Sequence, residues 1–289
     1  MMFTYKEVEV NRETFCPPYA GRIVHPAHQG EELNGTALQQ LAQTNIHRSR
    51  DRIWDMPGVC SFGRSVAAFL PEFDGRDLNE LVEDFQRVLV LGPSNRLDAV
   101  TQQTVGMGAE VSCIMPIVSV EESVYMPKAI ARLDSMRAHL KGAYVPLLPD
   151  ARRNQIRAVQ QLQKDVGLTP LPGALLRGYH GSVATTILED ERGELLAAAT
   201  CVGLSDVGAD YADTAILLGV SVSPNAQGRG LGSGLTAVSL ITARTMLGAR
   251  RVIGVVHPDN AAAFRTNARF GMLPAGGLGA QYVELERTL

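Results

Sequence analysis

The apolar positions of the chain alternate between the two-residue period of strands and the longer period of helices. In the first half, the run "RVLVLG" at 87–92 predicts a short buried strand, and apolar residues then recur at helical spacing over 97–105. The run "AEVSCIMPIV" at 109–118 predicts a second strand, and 121–140 predicts a helix that is kinked at Pro127 or begins near it. This alternation favours an α/β unit.

The second half shows more strands, several of them in antiparallel order. A domain boundary is expected near Lys141–Gly142, which gives ranges 1–141 and 142–289. Predicted strands lie at 143–149, on both sides of the turn "ERG", at 214–222, at 250–256 and at 280–287. Predicted helices lie at 32–54, 151–167, 233–248 and 261–271, with a short helical piece in "LTPLPGALLRG". In the strand at 214–222, Ile216, Leu218, Val220 and Val222 are expected to share one face.

Composition limits the classes of function. The chain has 289 residues, 45% hydrophobic and 20% charged, with a formal net charge of −3 and no blocks of like charge. This balance predicts neither a nucleic-acid surface nor a membrane-binding surface. The first residues lack the apolar run of a signal peptide, and Cys16, Cys60, Cys113 and Cys201 are far apart. We therefore expect a cytoplasmic protein without a disulfide framework or a metal cluster.

A glycine-rich stretch, "SPNAQGRGLGSG" at 223–234, lies between a predicted strand and a predicted helix. Such stretches let a backbone approach phosphates closely. A nucleotide triphosphate loop needs a Lys followed by Ser or Thr, and the stretch contains no lysine. The dinucleotide fingerprint needs a third glycine, but its register places Ser233 or Leu235 there.

The sequence Gln227-Gly228-Arg229-Gly230-Leu231-Gly232 fits a third pattern, Q/R-x-x-G-x-G/A. Further along, His257-Pro258-Asp259-Asn260, a run of alanines and Phe270-Gly271-Met272 follow in order. Together these segments resemble the GNAT superfamily of acyl-CoA-dependent N-acyltransferases over residues 142–289. The resemblance implies a mixed, mostly antiparallel sheet flanked by helices, here preceded by a second α/β domain. That first domain is either a degenerate acyltransferase-like domain or an unrelated one that shapes the acceptor pocket or a dimer interface.

The resemblance also implies the site. Acetyl-CoA or another short acyl-CoA would be the co-substrate, with its pyrophosphate at the start of the helix and its pantetheine arm along the preceding strand. The residues expected to contact it are Val220, Ser221, Val222, Gln227, Gly228, Arg229, Gly230, Leu231, Gly232, Ser233, Asn260 and Asn267. Asn260 is equally well placed as a helix N-cap, and Arg229 as a solvated surface residue. No metal is expected.

Acyl transfer to an amine often uses an acid to protonate the leaving thiolate. Many relatives supply it as a tyrosine seven residues after the Asn, and Asn267 occupies that position here. Glutamates that other relatives use are replaced by Ile216 and Val255. The candidate substitutes are Tyr282 as the acid and Ser221 as a proton relay, then His257, Asp213 and Tyr211.

The predicted function is transfer of an acetyl or short acyl group to a primary amine on a small molecule. The alternatives are a non-catalytic acyl-CoA-binding sensor or scaffold and a protein N-acetyltransferase. A homodimer is a further expectation for the assembly, and neither nucleic acid nor membrane is an expected partner. His25 and His28, near Cys16, are interpreted as a solvated loop, and Trp54 as a packing residue.

Overall fold

One curled sheet runs through the whole computed structural model. The structure describes residues 46, 53, 56–62, 65–70, 73, 77–137, 143–147, 153–177 and 183–285. Its strands are β1 (Val59–Ser61), β2 (Val66–Phe69), β3 (Arg87–Pro93), β4 (Ala109–Val111), β5 (Met115–Glu121), β6 (Ala143–Leu147), β7 (Val183–Glu189), β8 (Leu195–Gly203), β9 (Thr214–Val222), β10 (Arg251–Val255) and β11 (Leu273–Leu285). Their order is β1-β2-β3-β11-β5-β10-β9-β8-β7-β6, with β4 paired to β11. The two parallel pairings are β2–β3 and β9–β10, so the sheet is mostly antiparallel, as predicted.

Helices cover both faces of this sheet. They are α1 (Leu78–Phe85), α2 (Ser94–Thr101), α3 (Glu122–Arg137), α4 (Arg153–Asp165), α5 (Gly173–Leu176), α6 (Leu231–Leu247) and α7 (Ala261–Arg269). Tyr125 and Ala129 of α3 share a buried cluster with Leu235 and Leu240 of α6 on one face. Apolar residues of α4 and α5 pack against Ile187 and Ala198 on the other face. None of the helices that the structure describes has the length and apolar character that a membrane span needs.

The two halves of the chain exchange strands. Each half contains a parallel strand pair joined through a helix, β2–α1–β3 in the first half and β9–α6–β10 in the second. β5 leaves the first half and lies between β10 and the beginning of β11. The end of β11 leaves the second half and lies between β3 and β4. Each half therefore completes its part of the sheet with a strand from the other.

Packing follows this exchange across the expected boundary near Lys141. One buried cluster joins Val118 and Tyr125 to Leu217 and Leu235. A second cluster, on the opposite face, joins residues of β1–β3 to residues of β8 and β9, because the sheet curls until its two parts meet. The domain ranges 1–141 and 142–289 stay a prediction, but the hydrophobic core does not divide between them.

Two expectations for local structure need correction, and a third lies outside the described residues. The strand expected at 109–118 is two strands, because Ser112–Ile114 leave the regular pairing between β4 and β5. Pro127 lies inside α3, which begins at Glu122 and not near the proline. Pro127 lacks the N–H that would donate to the carbonyl of Ser123 in a regular helix. The helix expected at 32–54, with Trp54, and the residues Cys16, His25 and His28 lie outside the described residues, apart from Ile46 and Ile53.

The expected common face of β9 is also wrong. Ile216 and Leu218 pack into the cluster that contains Phe69 and Leu89, whereas Val222 packs against the α6 side of the sheet. The reason is a β-bulge. Leu218 pairs with Thr200 and Ser221 with Ala198, so Gly219 and Val220 together lie opposite one residue of β8. The extra residue reverses the alternation beyond it.

Candidate functional site

The glycine-rich stretch forms a turn that leads from the end of β9 into α6. A short 3₁₀ turn covers Pro224–Ala226. The side-chain Nε2 of Gln227 then donates to the backbone carbonyl of Val222 at 3.1 Å. Gly228 and Gly230 have φ values of +75° and +79°, which favour glycine strongly. Gly230 is the N-cap of α6 and provides no capping side chain. The backbone N–H groups at the beginning of α6 are therefore left without a capping side chain.

The first turn of α6 is a potential anion-binding site. Gly234 N–H donates to the Gly230 carbonyl at 3.2 Å, which is the first bond of the helix. The N–H groups of Leu231, Gly232 and Ser233 precede that bond, and no hydrogen-bond acceptor for them occurs among the described residues. These donors and the positive end of the helix dipole favour a phosphate. Gly232 leaves room for one, since a Cβ there would meet only Val222 Cγ2, at 3.6 Å.

Next to this turn, the sheet opens between β9 and β10. The two strands pair over three residues only, Thr214–Ile216 against Arg251–Ile253. Beyond this point β9 continues to Val222 against β8, and β10 continues to Val255 against β5. The unpaired edges carry backbone donors and acceptors that an extended ligand can use as another strand would.

The bulge of β9 borders this opening. Gly219 has a φ of +59°, and the Val220 side chain is 38% exposed. A bulge leaves one residue outside the hydrogen-bond ladder, so a backbone N–H points away from β8. The buried hydroxyl of Ser221 donates to the Gly219 carbonyl at 2.7 Å and lies 3.4 Å from that of Ala198. Ser221 therefore holds the bulge in shape, and its role as a proton relay stays a prediction.

Gln163 of α4 packs beneath the bulge, a contact that sequence reasoning missed. Its side chain is fully buried, and Oε1 accepts from Leu171 N–H at 2.8 Å, which fixes the orientation of the amide. Its Nε2 has no acceptor among the described residues and would lie 3.1 Å from a Cβ at position 219. An unsatisfied buried donor costs about 1–3 kcal/mol. The chain thus keeps a free amide donor next to the opening.

The two asparagines lie on α7, which follows β10. Asn260 is exposed and is the N-cap of the helix, with Oδ1 accepting from Ala263 N–H at 2.9 Å. The interpretation of Asn260 as an N-cap is therefore confirmed. The carbonyl of Asn267 accepts from the N–H groups of Phe270 and Met272 at 3.0 and 3.1 Å and closes the helix. A contact of either residue with a ligand stays a prediction.

The candidates for proton transfer are spread over the sheet. Tyr282 lies on β11, three strands from β9, because β5 occupies the position next to β10. Its ring lies 4.2 Å from the guanidinium of Arg87. Tyr211 and Asp213 precede β9 at the end opposite the bulge, where the backbone carbonyl of Asp213 accepts from Arg250 N–H at 2.7 Å.

His257 is the remaining candidate, and it has a partner that sequence reasoning did not identify. It follows β10 at the open end of the gap, and its side chain is 56% exposed. The Sγ of Cys113, from the segment before β5, lies 4.0 Å from His257 Nε2. The carboxylate of Asp259 lies 3.7 Å from Nδ1. The structure thus places a thiol, an imidazole and a carboxylate in sequence at this edge.

Arg132 is a third residue that the sequence motifs did not indicate. It lies on α3, and its Nε donates to Ser233 Oγ at 2.9 Å while Nη2 donates to the Gly230 carbonyl at 3.3 Å. Tyr144 lies nearby. Burial raises the pKa of Tyr144 well above its usual range, and the charge of Arg132 partly opposes this. The guanidinium of Arg132 therefore lies against the first turn of α6.

This geometry agrees with the comparison to known families. The model of the Acetyltransferase (GNAT) family matches residues 153–272, from the beginning of α4 to the turn before β11. This part of the chain is a GNAT domain. The GNAT match contains β9, the glycine-rich turn, α6, β10 and α7, and thus the whole opening described above.

Solved structures support the GNAT fold. A GCN5-related N-acetyltransferase from Kribbella flavida is 14% identical, with a TM-score of 0.50, and covers 86% of this chain and 96% of its own. An acetyltransferase from Novosphingobium aromaticivorans, described as putative and from the GNAT family, is 16% identical, with a TM-score of 0.50 and coverage of 77% and 84%. A GCN5-related N-acetyltransferase-like protein from Streptococcus suis is 13% identical, again with a TM-score of 0.50, and covers 77% and 80%. No curated protein matches the chain.

Proposed function

We propose that the protein transfers an acetyl or other short acyl group from coenzyme A to a primary amine of a small molecule. One observation carries the proposal. The open first turn of α6, the gap between β9 and β10, and the bulge at Gly219 adjoin one another in a GNAT domain. These features offer, in order, a phosphate site, an extended edge for a pantetheine arm and a polar backbone group for the acyl end.

The described residues fit coenzyme A. Leu231, Gly232 and Ser233 provide backbone N–H groups for the pyrophosphate, and the absence of a Cβ at Gly232 lets it approach. The backbone of Val220–Val222 is available to the pantetheine arm along the gap. The co-substrate supplies the acyl group as a thioester, which an amine can attack.

At the bulge, backbone donors act on the reacting carbonyl. A fixed N–H stabilises the negative charge that develops on the carbonyl oxygen. The amide of Gln163 packs against the Gly219 side of the bulge. Positioning of two reactants can itself supply about 7–11 kcal/mol of the barrier reduction. The chain therefore needs no strong acid to obtain a large part of the acceleration.

Protons must still move. The amine nitrogen forms a bond to the thioester carbon and loses a proton, the carbon–sulfur bond breaks, and the released sulfur takes a proton. His257 and Cys113 lie at the open end of the gap, where they can exchange protons with solvent. Tyr282 remains a candidate acid on the more distant strand β11.

A binding experiment tests the first part of the proposal. Coenzyme A is titrated into the wild type, Gly232→Asp and Gly106→Asp, with calorimetric detection. The Gly232→Asp carboxylate repels a pyrophosphate at the start of α6, so binding should be lost. Gly106→Asp adds the same charge at an exposed position where a Cβ meets nothing within 4 Å, and it should bind as the wild type does. Equal affinity in all three proteins would contradict the assignment of the turn.

A turnover experiment tests the second part. Thiol release from acetyl-CoA is measured with a panel of small primary amines and with lysine-containing peptides. Release that depends on a small amine supports the proposed enzyme, and release with peptides alone indicates a protein acetyltransferase. Tight binding of coenzyme A without turnover on any acceptor indicates a sensor or scaffold instead.

A further inference from the structure

The start of α6 receives a positive charge from the other half of the chain. Helices α3 and α6 pack against each other in antiparallel directions, with Glu122 opposite the end of α6 and Arg132 opposite its start. Arg132 makes two hydrogen bonds there, to Ser233 Oγ and to the Gly230 carbonyl. Its position is tight, since a Cβ at Gly230 would lie 2.7 Å from Nη2.

The charge at this position is unusual for a helix end. A helix N-terminus carries a partial positive charge, so a cation beside it is unfavourable unless an anion joins them. At the other end of α6, Arg244 has the normal arrangement: it lies in the last turn and pairs with Glu122 at 2.6 Å. Among the described residues, no carboxylate pairs with Arg132.

Arg132 also has unused donors. A guanidinium carries five N–H groups in a planar fork, and the described hydrogen bonds use one from Nε and one from Nη2. The remaining N–H groups belong to a side chain that contacts Gly230 and Ser233, at the first turn of α6. A phosphate accepts hydrogen bonds from such a fork and from a helix N-terminus at the same time.

We propose that Arg132 binds a phosphate of coenzyme A and thereby completes the phosphate site with a residue from the first half. This inference rests on the proposed function. It revises the expectation that every cofactor contact lies between Val220 and Asn267. The first half then contributes to co-substrate affinity directly, as well as through strand β5.

The experiment compares Arg132→Gln, Arg132→Lys and the control Arg244→Gln in the full-length protein. Arg244→Gln removes one cation from the same α3–α6 contact at the end of α6 remote from the phosphate site. We expect Arg132→Gln to weaken coenzyme A binding about tenfold to a hundredfold, as for lost hydrogen bonds to a charged group. Arg132→Lys keeps the charge without the fork and should lie between Arg132→Gln and the wild type. Arg244→Gln should stay within about twofold of the wild type.

A second ligand identifies the phosphate. 3′-Dephospho-CoA has the pyrophosphate but lacks the 3′-phosphate. Equal weakening of both ligands by Arg132→Gln assigns Arg132 to the pyrophosphate, and weakening of coenzyme A alone assigns it to the 3′-phosphate. Either result supports the proposal.

Three results would overturn it. Wild-type affinity of a folded Arg132→Gln protein removes the inference and leaves the proposed function intact. If Arg132→Gln does not fold, a folded Arg132→Lys protein with wild-type affinity and unchanged salt dependence has the same meaning, because a lysine cannot reproduce the fork. A wild type that does not bind coenzyme A overturns the proposed function and this inference together.

Discussion

Gly219 combines a left-handed backbone with close contact to a polar side chain. Its φ is +59°, and a Cβ would lie 3.1 Å from Gln163 Nε2. An L-residue in this conformation costs about 1–2 kcal/mol. The shape of the bulge, and with it the direction of the free N–H, therefore depends on the absence of one methyl group.

Replacement of Gly219 by alanine should lower turnover more than coenzyme A affinity. In the proposed function, the pyrophosphate binds at α6, away from the bulge, whereas the reacting carbonyl lies against the bulge. Gly193→Ala is the matched control, since Gly193 has a φ of +78° in a turn where a Cβ meets nothing within 4 Å. Both variants should lose stability in thermal unfolding because of the positive φ, and Gly219→Ala should lose more because its Cβ also meets Gln163, but only Gly219→Ala should lose turnover. A parallel loss in the control would mean that stability, and not the bulge, determines the rate.

The described cysteines differ in their surroundings. Cys60 and Cys201 are buried, and Cys113 is exposed. Burial raises the pKa of Cys201 to about 12 and moves the pKa of Cys60 still further in the same direction. Both thiols therefore stay protonated and shielded at pH 8, whereas Cys113 can react.

A thiol reagent at pH 8 should modify Cys113 rapidly in a Cys16→Ser background, and Cys60 and Cys201 only as the protein unfolds.

The two buried thiols also predict a pH dependence of stability. Because their pKa values are higher in the folded state, their contribution to the free energy of unfolding is fully present at neutral pH. Their contribution declines as the pH rises from about 9, where a free thiol ionises, towards 12. Unfolding free energies measured from pH 7 to 10 should fall at the alkaline end, and less steeply in Cys201→Ala. Rapid modification of Cys60 and Cys201 together with Cys113 in the native protein would contradict the burial of the first two.

At the scale of elements, α6 has two different surfaces at successive glycines. Gly232 faces the open first turn, and Gly234 faces α3 and β6. A Cβ at Gly234 would overlap the hydroxyl of Tyr144 and lie 2.6 Å from Met136 Sδ. The structure shows that α6 needs Gly234 for packing, and in the proposed function it needs Gly232 for the approach of the ligand.

Alanine at these two positions should have opposite effects on stability. Gly232→Ala removes the entropic cost of glycine in a helix and should stabilise the protein by about 0.5–1 kcal/mol, while coenzyme A binding weakens. Gly234→Ala overpacks the contact with α3 and should destabilise by about 1–3 kcal/mol. Chemical denaturation and calorimetry measure the two quantities. A stabilised Gly234→Ala protein, or Gly232→Ala with unchanged affinity, would contradict the assigned surfaces.

Elements with a strong local pattern could be predicted from the sequence. The strand 214–222 and the helix after the glycine turn follow from alternation, helical spacing and turn residues, and the structure confirms both. The bulge could not be predicted because period-two counting assumes a regular strand, and Gly219 was read as one more strand residue. Arg132 was missed because nothing in the pattern of α3 indicates which helix end it will contact.

At the scale of the whole molecule, the strand exchange makes each half incomplete. Without residues 1–141, β10 loses its neighbour β5, and the cluster around Leu235 loses Val118 and Tyr125. The sequence could not predict this, because apolar runs specify strands but not their distant partners. The expected domain boundary near Lys141–Gly142 rests on the order of elements alone.

A fragment of residues 142–289 should therefore aggregate or lack a cooperative unfolding transition. Co-expression of 1–141 with 142–289 should restore a soluble complex that binds coenzyme A, because both exchanged strands are then present. Size-exclusion chromatography and calorimetry provide the measurements. A monomeric fragment with cooperative unfolding and full affinity would show that the exchanged strand is dispensable.

The position of β11 also has a consequence for synthesis on the ribosome. Glu284 pairs with Arg87, and Leu278 pairs with Pro93, so the sheet of the first half closes only with β11, the last of the described strands. Contacts between residues so distant in sequence form slowly, because a large loop must close first. The nascent first half must wait, with one edge of β3 unpaired, until β11 has left the exit tunnel. We therefore expect the two halves to fold in one concerted step once β11 is available, and not one domain after the other.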